Sequence, residues 1–376
     1  MFSKSGSYDL NLPKHYSQPK YYTFTPKPLC GRDLVQVDEE LAFLLAKAHR
    51  LIGILEGMSA LITNIDAIES MLIKKEAVAS CRIDGIEENF EDVVSLSKEG
   101  NPKVVNSLRY IKVLDYNKKN LANQHLSNKF LCKMHNMMME YAGNEEVGKF
   151  RKTQTFFGSR AFIENFPDYN PPAPDDMHNV LIDLEKYITS DERTDVLVRA
   201  ALIHYQFETV HPFVTGNGRI GRILNNLFLT EDKILSRQLL CISNYLLQNK
   251  VEYFDRLNEV QRFGKYEQWV KFFIKAFIAS AEDSINIIKR LLKLRDQNIA
   301  KIMTLGKSAK LAMILYEYIE KTPIIDINKT AEALNLSFNT ISKAVESLLK
   351  IEILKQRNNS IRYRCFAYEE YLEIIR

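Results

Sequence analysis

One run of the chain joins several groups with phosphate chemistry: His211-Pro212-Phe213-Val214-Thr215-Gly216-Asn217-Gly218-Arg219-Ile220-Gly221-Arg222. Gly216 and Gly218 carry no side chain, so backbone N–H groups around Asn217 can approach an anion closely. Helical spacing resumes at Arg219 and runs through Ile223, Leu224, Leu227 and Phe228. A helix start at that point would aim free N–H groups and a positive dipole end at the same anion. Arg219 and Arg222 share a helix face and can hold a di- or triphosphate at two points. His211, with an ordinary pKa near neutrality, can take a proton from a hydroxyl. The chemistry expected is attack by a hydroxyl on phosphorus, with the cradle stabilising charge that builds on the phosphate. Gly-Asn-Gly alone would be an ordinary tight turn. The histidine, asparagine and two arginines in one run favour the phosphate reading.

The elements that must position this run are mostly helical. Apolar spacing predicts helices over about 37–57 and 67–84, the second stopped by Gly85, then about 87–97, 103–118 and 127–141. Two more, at about 174–189 and 194–208, lead into the motif. A long amphipathic stretch, about 266–303, has Trp269 on its apolar face as a core residue. Residues 148–173 break the pattern with partial alternation, a turn at Gly158 and closing prolines, which reads as a short β-hairpin. Residues 1–36 read as an extended arm on the body. After Gly306-Lys307-Ser308, helices at about 309–321, 327–334 and 338–349 are followed by Ile351 to Leu354 and Ile361 to Phe366 as a β-wing, with Ser337 as an N-cap. This is a winged helix-turn-helix pattern.

The motif closely resembles the Fic family signature, His-Pro-Phe-x-Asp/Glu-Gly-Asn-Gly-Arg-x-x-Arg. The preceding Ala200-Ala201-Leu202-Ile203-His204-Tyr205-Gln206-Phe207-Glu208-Thr209 looks like the helix before that signature. The resemblance spans about 37–280 and implies an all-α fold: a Fic-type helical core with a small β-hairpin flap. Divided accordingly, 1–118 is an arm and helical domain, 119–305 the catalytic core and 306–376 the winged-helix unit. The resemblance implies transfer of AMP from ATP to a Ser, Thr or Tyr hydroxyl of a target protein. His211 would be the general base. Gly216, Asn217 and Gly218 would form the anion hole, and Arg219 and Arg222 would hold phosphates, with Ile220 and Gly221 in the same nucleotide-binding run. The hairpin at about 153–168 would align the target segment by strand pairing. Tyr253, beside Phe254, would flank the adenine, and Gln261 would be a further nucleotide contact. Thr215 departs from the signature, which places a Mg²⁺-binding carboxylate there. A hydroxyl is a poorer ligand for that hard cation, so the expected Mg²⁺ site is weakened.

Ser80-Cys81-Arg82-Ile83-Asp84-Gly85 closes the second helix and resembles the family's inhibitory motif, Ser/Thr-x-x-x-Glu-Gly/Asn. Ser80 and Asp84, four residues apart, share a helix face. The resemblance implies that the acid pairs with Arg222 and blocks productive ATP binding. Asp84 is one methylene shorter than the usual glutamate. Locally, Asp84-Gly85 is also an ordinary helix ending.

Length and composition set outer bounds. The 376 residues are 46% hydrophobic and 26% charged, with net charge +4. That composition suits a globular chain with a sizeable core, and so weak a charge imbalance does not predict nucleic-acid or membrane binding. Residues 308–376 hold ten basic and nine acidic residues, a poor footprint for DNA. Five scattered cysteines read as free thiols in a reducing compartment. No run reaches the roughly 20 apolar residues of a membrane span, so a cytoplasmic protein is expected, with a homodimer compatible. Met137, Met138 and Met139 read as core, His204 as packing or capping, and Asp175-Asp176 as a helix start. The rival reading is a DNA-binding regulator whose core binds nucleotide with little or no activity. A third is removal of AMP from a modified target.

Overall fold

In a computed structural model, residues 4–11, 21–95, 103–120, 125–140, 146–156, 170–191, 193–357 and 364–376 are described. Most of the expected helices form. Asp38 accepts from the Leu41 N–H at 2.8 Å and starts α1, Glu39–Leu61. α2 (Ile65–Ile83) follows, then a short α3 (Phe90–Val94) capped by Asn89. α4 (Val105–Asn120) and α5 (Asn128–Met139) come next, the latter capped by Ser127. α6 (Pro174–Thr189) has proline in its first turn, where no N–H partner is lost. α7 (Val196–Val210) is buried on every face, and α8 (Asn217–Glu231) follows the motif loop. α9 (Ile242–Gln248) and α10 (Lys250–Phe263) lead to α11, Tyr266–Met303, whose buried stripe runs from Tyr266 to Ile302.

α2 is the helix that matters for the site. It packs against α4, α8 and α9 and is held by two buried carboxylates. Glu69 takes Arg237 at 2.9 Å and the Gln238 N–H at 3.0 Å. Glu76 accepts from the Ser243 N–H at 2.9 Å and the Tyr110 hydroxyl at 3.3 Å, and burial raises its pKa. Buried acids of this kind are tolerated because each has partners. α1 lies along α11, and α7 packs between α6, α8 and α11. Trp269 is fully buried and donates to the Ala201 carbonyl at 2.8 Å, as its core reading requires.

After α11, a 3-10 turn (Gly306–Ser308) leads directly into α12, Ala309–Ile319. β3 (Ile324–Asp326), α13 (Ile327–Leu334), α14 (Phe338–Lys350), β4 (Lys355–Gln356), β5 (Cys365–Ala367) and α15 (Glu369–Ile375) complete the chain. The antiparallel sheet order is β3-β5-β4. One apolar cluster runs from Leu29 through α11 to Ile375, so the terminal unit shares the core of the body.

The differences from the sequence reading have local causes. The arm folds into a strand pair, β1 (Gly6–Asn11) against β2 (Tyr21–Pro26), with the Tyr8 and Phe24 rings packed at a tilt across it. α3 is shorter than 87–97 because extended backbone at Asn89 and Ser95 bounds it. Strand pairing near the terminus uses Lys355 and Gln356 rather than 351–354, since Ile353 and Leu354 are buried in the core. β3, α9, α10 and α15 were not anticipated. Most of the hairpin expected at 153–168 lies outside the described residues. No described helix is long and apolar enough to cross a membrane.

Candidate active site

α7 ends at a conformational break. His211 has φ 49°, left-handed and uncommon for a residue with a Cβ, and Pro212 follows without an N–H. Carbonyls exposed by the break are collected by Arg151. Its guanidinium donates to the carbonyls of His211 at 2.9 Å, Val210 at 3.4 Å, Pro172 at 2.6 Å and Thr153 at 3.2 Å. The Arg151 N–H also reaches the Pro212 carbonyl at 2.9 Å. One buried arginine therefore ties His211 to Thr153 and Pro172, which flank the undescribed part of the expected hairpin.

The loop after His211 is closed by its own asparagine. Asn217 Oδ1 accepts from the Phe213 N–H at 2.8 Å, and its Nδ2 donates to the Phe213 carbonyl at 2.7 Å. Gly216 sits at φ 76° and caps α8, a conformation that glycine adopts without strain. His135 braces the loop from outside. Its ring stacks on Phe213 at 3.9 Å between centroids. The Gly148 N–H donates to Nδ1 at 2.9 Å, so Nε2 carries the proton and donates to the Thr215 carbonyl at 3.1 Å. Burial first, then Arg219, lowers the His135 pKa to about 4. This imidazole is a neutral structural strut.

Both arginines are held by the end of α2. Asp84 Oδ1 accepts from Arg222 at 2.7 Å, and Oδ2 from Arg219 at 3.1 Å. Arg222 also donates to the Ser80 hydroxyl at 2.7 Å and carbonyl at 2.8 Å. Arg219 donates to Asn106 Oδ1 at 2.9 Å. A Cβ at position 218 would lie 2.8 Å from the Arg222 guanidinium and 3.0 Å from Asp84, so glycine there lets the carboxylate reach the arginine. Burial would lower the Arg222 pKa, but Asp84, Tyr253 and Glu208 outweigh it and raise the value.

These groups border a cavity of about 870 Å³. His211, Thr215, Gly216, Asn217 and Gly218 line one wall, with Asp84, Arg219 and Arg222. Tyr253, Phe254, Leu257, Asn258 and Lys250 line another. Burial first and Arg151 second push the His211 pKa down to about 3, so the ring is neutral and can accept a proton. Burial raises Glu208 to about 7, against the pull of Arg222. A larger cleft, about 1300 Å³, between His125, Lys129, Lys133 and Glu185 contains no residue of the motif.

Residues 125–229 match the Fic/DOC family, and residues 42–118 match the Fic/DOC family N-terminal region. The chain belongs to the Fic/DOC family. A crystal structure of a Fic family protein from Desulfovibrio desulfuricans covers 90% of this chain and 98% of its own, at 18% identity and TM-score 0.58. That likeness shows the fold. A Fic domain containing signaling protein from Bacteroides thetaiotaomicron covers 66% of this chain at 15% identity and TM-score 0.50. A probable protein adenylyltransferase of Aquifex aeolicus is 23% identical over half of this chain and 55% of its own length. Protein adenylyltransferase fic-1 of Caenorhabditis briggsae is 30% identical over 42% of this chain. The chain spans only 29% of that relative's length.

The Fic fold gathers most of the residues singled out from sequence into one cavity, leaves Ser80 behind Arg222, and moves three of the expected nucleotide-binding residues away from it. Ile220 is fully buried in the core, and Gly221 packs on Phe207 and Glu208. Gln261 is buried one turn beyond Asn258, its carbonyl taken by the Ser5 hydroxyl at 2.9 Å. These three do not line the cavity. Asn217 lines it, but its side chain is engaged by Phe213, so of its polar groups the backbone N–H is what remains for the anion contact expected from sequence. Tyr253 lies at the wall with its hydroxyl 2.9 Å from His204 Nε2. Phe254, the other aromatic of that pair, is exposed at the cavity edge. Gly85, at φ 80°, turns the chain after Asp84.

The donors present do not fit a protein-held Mg²⁺. Thr215 offers one neutral hydroxyl, Asp84 is engaged by both arginines, and no metal-binding cluster of His, Cys, Asp or Glu occurs among the described residues. Sequence reading missed Arg151, His135, Asn106, Glu208, Lys250 and Asn258. Only Glu208, three residues before His211, carried a positional signal.

Proposed function

We propose that this Fic protein is a protein adenylyltransferase restrained by its own second helix. The supporting observation is the arrangement of His211, Arg219, Arg222 and Asp84 around one cavity. In the reaction, a target hydroxyl oxygen bonds to the α-phosphorus of ATP. The bond from that phosphorus to the bridging oxygen of the β-phosphate breaks, and pyrophosphate leaves. The hydroxyl proton passes to the neutral imidazole of His211. Backbone N–H groups at the start of α8 stabilise the charge on the phosphate. The arginines bind the outgoing phosphates once Asp84 releases them.

The restraint follows from the same contacts. While Asp84 bridges Arg219 and Arg222, neither guanidinium is open to a triphosphate. Aspartate reaches because position 218 is glycine. The target would dock along the segment 153–168, whose flanks Arg151 anchors beside the base.

The rival DNA-binding reading draws on the β3-α13-α14-β4-β5 order, in which Ser337 caps an α14 with Asn339 and Lys343 exposed. Against it, Arg357 beside β4 is engaged by Glu91 and Glu369. Labelled ATP with Mg²⁺ tests the proposal on wild type, His211→Ala and Asp84→Gly. Labelling of protein that is lost in the first variant and raised in the second supports transfer. No labelling in any of them, with sequence-selective DNA binding, overturns it.

A further inference from the structure

Between the end of α2 and α3, three carboxylates each hold a different part of the molecule. Asp84 holds the two arginines of the motif. Glu88 accepts from the Asn106 N–H and side-chain amide, each at 3.0 Å, and from the Ser107 N–H at 2.8 Å. It thereby caps α4, whose Asn106 is itself a partner of Arg219. Glu91 accepts from both Arg357 and Arg376 of the C-terminal unit. Arg357 is fixed in turn by Glu369 at 2.6 and 2.9 Å.

The same unit touches α2 elsewhere. Asn64, its N-cap residue, donates to Glu320 at 3.1 Å. Lys74, midway along, donates to the Lys321 carbonyl at 3.3 Å. Ser95, just past α3, bridges Ile324 in parallel. α15 packs on both α2 and α11. The C-terminal unit thus grips α2 before the Asp84 contact and the segment after it. Six residues separate Asp84 from Glu91, and they are pinned at Glu88, so a shift at Glu91 has little slack in which to dissipate.

We propose that the C-terminal unit sets the strength of the restraint, and that Glu91, held by Arg357 and Arg376, is the positioning residue through which it acts. The inference rests on the adenylyl-transfer reading for its activity readout and on local structure for its other readout. Arg357 and Arg376 are partly exposed and Arg357 keeps Glu369, so replacing Glu91 leaves no buried charge unpaired. Glu91→Arg sets a cation against two arginines and pushes the unit off α3.

The test uses the full chain. Three quantities are measured: hydrogen exchange of the amides of residues 80–86, the Kd for ATP with Mg²⁺, and the rate of protein labelling. In Glu91→Arg, exchange at 80–86 should quicken, and ATP should bind about fivefold tighter with labelling raised to match. Placed in an Asp84→Gly background, Glu91→Arg should change neither affinity nor rate, because no restraint remains to loosen. The double variant Arg357→Gln/Arg376→Gln should move all three readouts in the direction of Glu91→Arg. Unchanged exchange and affinity in Glu91→Arg, beside tighter ATP binding in Asp84→Gly, would overturn the coupling. If Asp84→Gly itself neither labels nor tightens ATP binding, the transferase reading falls. Exchange at 80–86 then decides alone, faster exchange retaining the coupling and unchanged exchange ending it.

Discussion

His211 sits in left-handed backbone at the end of a fully buried helix, and its carbonyl is gripped by Arg151. Backbone held in this uncommon conformation beside the cavity supports the role proposed for His211. Replacing His211 with alanine should cut labelling by about 100-fold or more, the usual contribution of a general base, with ATP affinity unchanged. Thr215 is the other informative residue. Thr215→Asp should raise the rate and lower the Mg²⁺ concentration needed for half-maximal labelling, measured by metal titration, because a carboxylate is the better ligand for this cation. If the titration curves coincide, the metal reading of this position is wrong. The run from His211 to Arg222 was legible because its members are close in sequence. Arg151, His135 and Asn106 were not, since each reaches the motif from 60, 80 and 113 residues away.

At the scale of elements, α2 carries the restraint proposed above. Its buried glutamates anchor it to Arg237, Gln238 and Ser243, while Ser80 and Asp84 at its end engage the arginines. Asp84→Gly removes the counter-charge of two buried guanidiniums. Loss of one partner from a buried pair typically costs about 3–5 kcal/mol, and partial exposure of Asp84 places this case at or below that range. The expected result is a lower Tm in the variant and a larger rise in Tm on adding ATP than in wild type. Equal shifts with ATP would mean that Asp84 does not compete with nucleotide. Ser80→Ala should act in the same direction but more weakly, since the Ser80 carbonyl still accepts from Arg222 at 2.8 Å. The helix and its Ser-x-x-x-Asp end could be read from spacing. The bridging of Arg219 as well as Arg222 could not, because it depends on how α2 meets α8.

For the whole molecule, one core joins the body to the C-terminal unit through α11. A single calorimetric unfolding transition is therefore expected, and two resolved transitions would show that the terminal unit folds independently. Buried histidines set the acid limit of that stability. Burial lowers His135 to about 4 and His204 and His211 to about 3. Their folded pKa values lie below the unfolded value of about 6.5. Their contribution is present above that pH and is lost as pH falls toward 3. Glu208 has the opposite sign: raised to about 7, it favours the fold below its unfolded pKa and less as pH rises through 7. Denaturant titrations between pH 6 and 4 should show stability falling with acid. His204→Gln should flatten that fall by about 1.4 kcal/mol per pH unit. An unchanged slope would remove His204 from the account.

The amino-acid order alone determined the helical class, the grouping of His211, the glycine loop and the two arginines in one run, the acid at the end of α2 and the threonine at position 215. Each rests on neighbours within a few residues, where helical period and turn chemistry act directly. Tertiary packing decided the rest. It placed Asp84 on two arginines 135 and 138 residues away and took Ile220, Gly221 and Gln261 out of the cavity wall. It also set Arg357 and Arg376 on Glu91, 266 and 285 residues distant. Such contacts follow from which helix faces bury together, and the period of one helix does not reveal its neighbour.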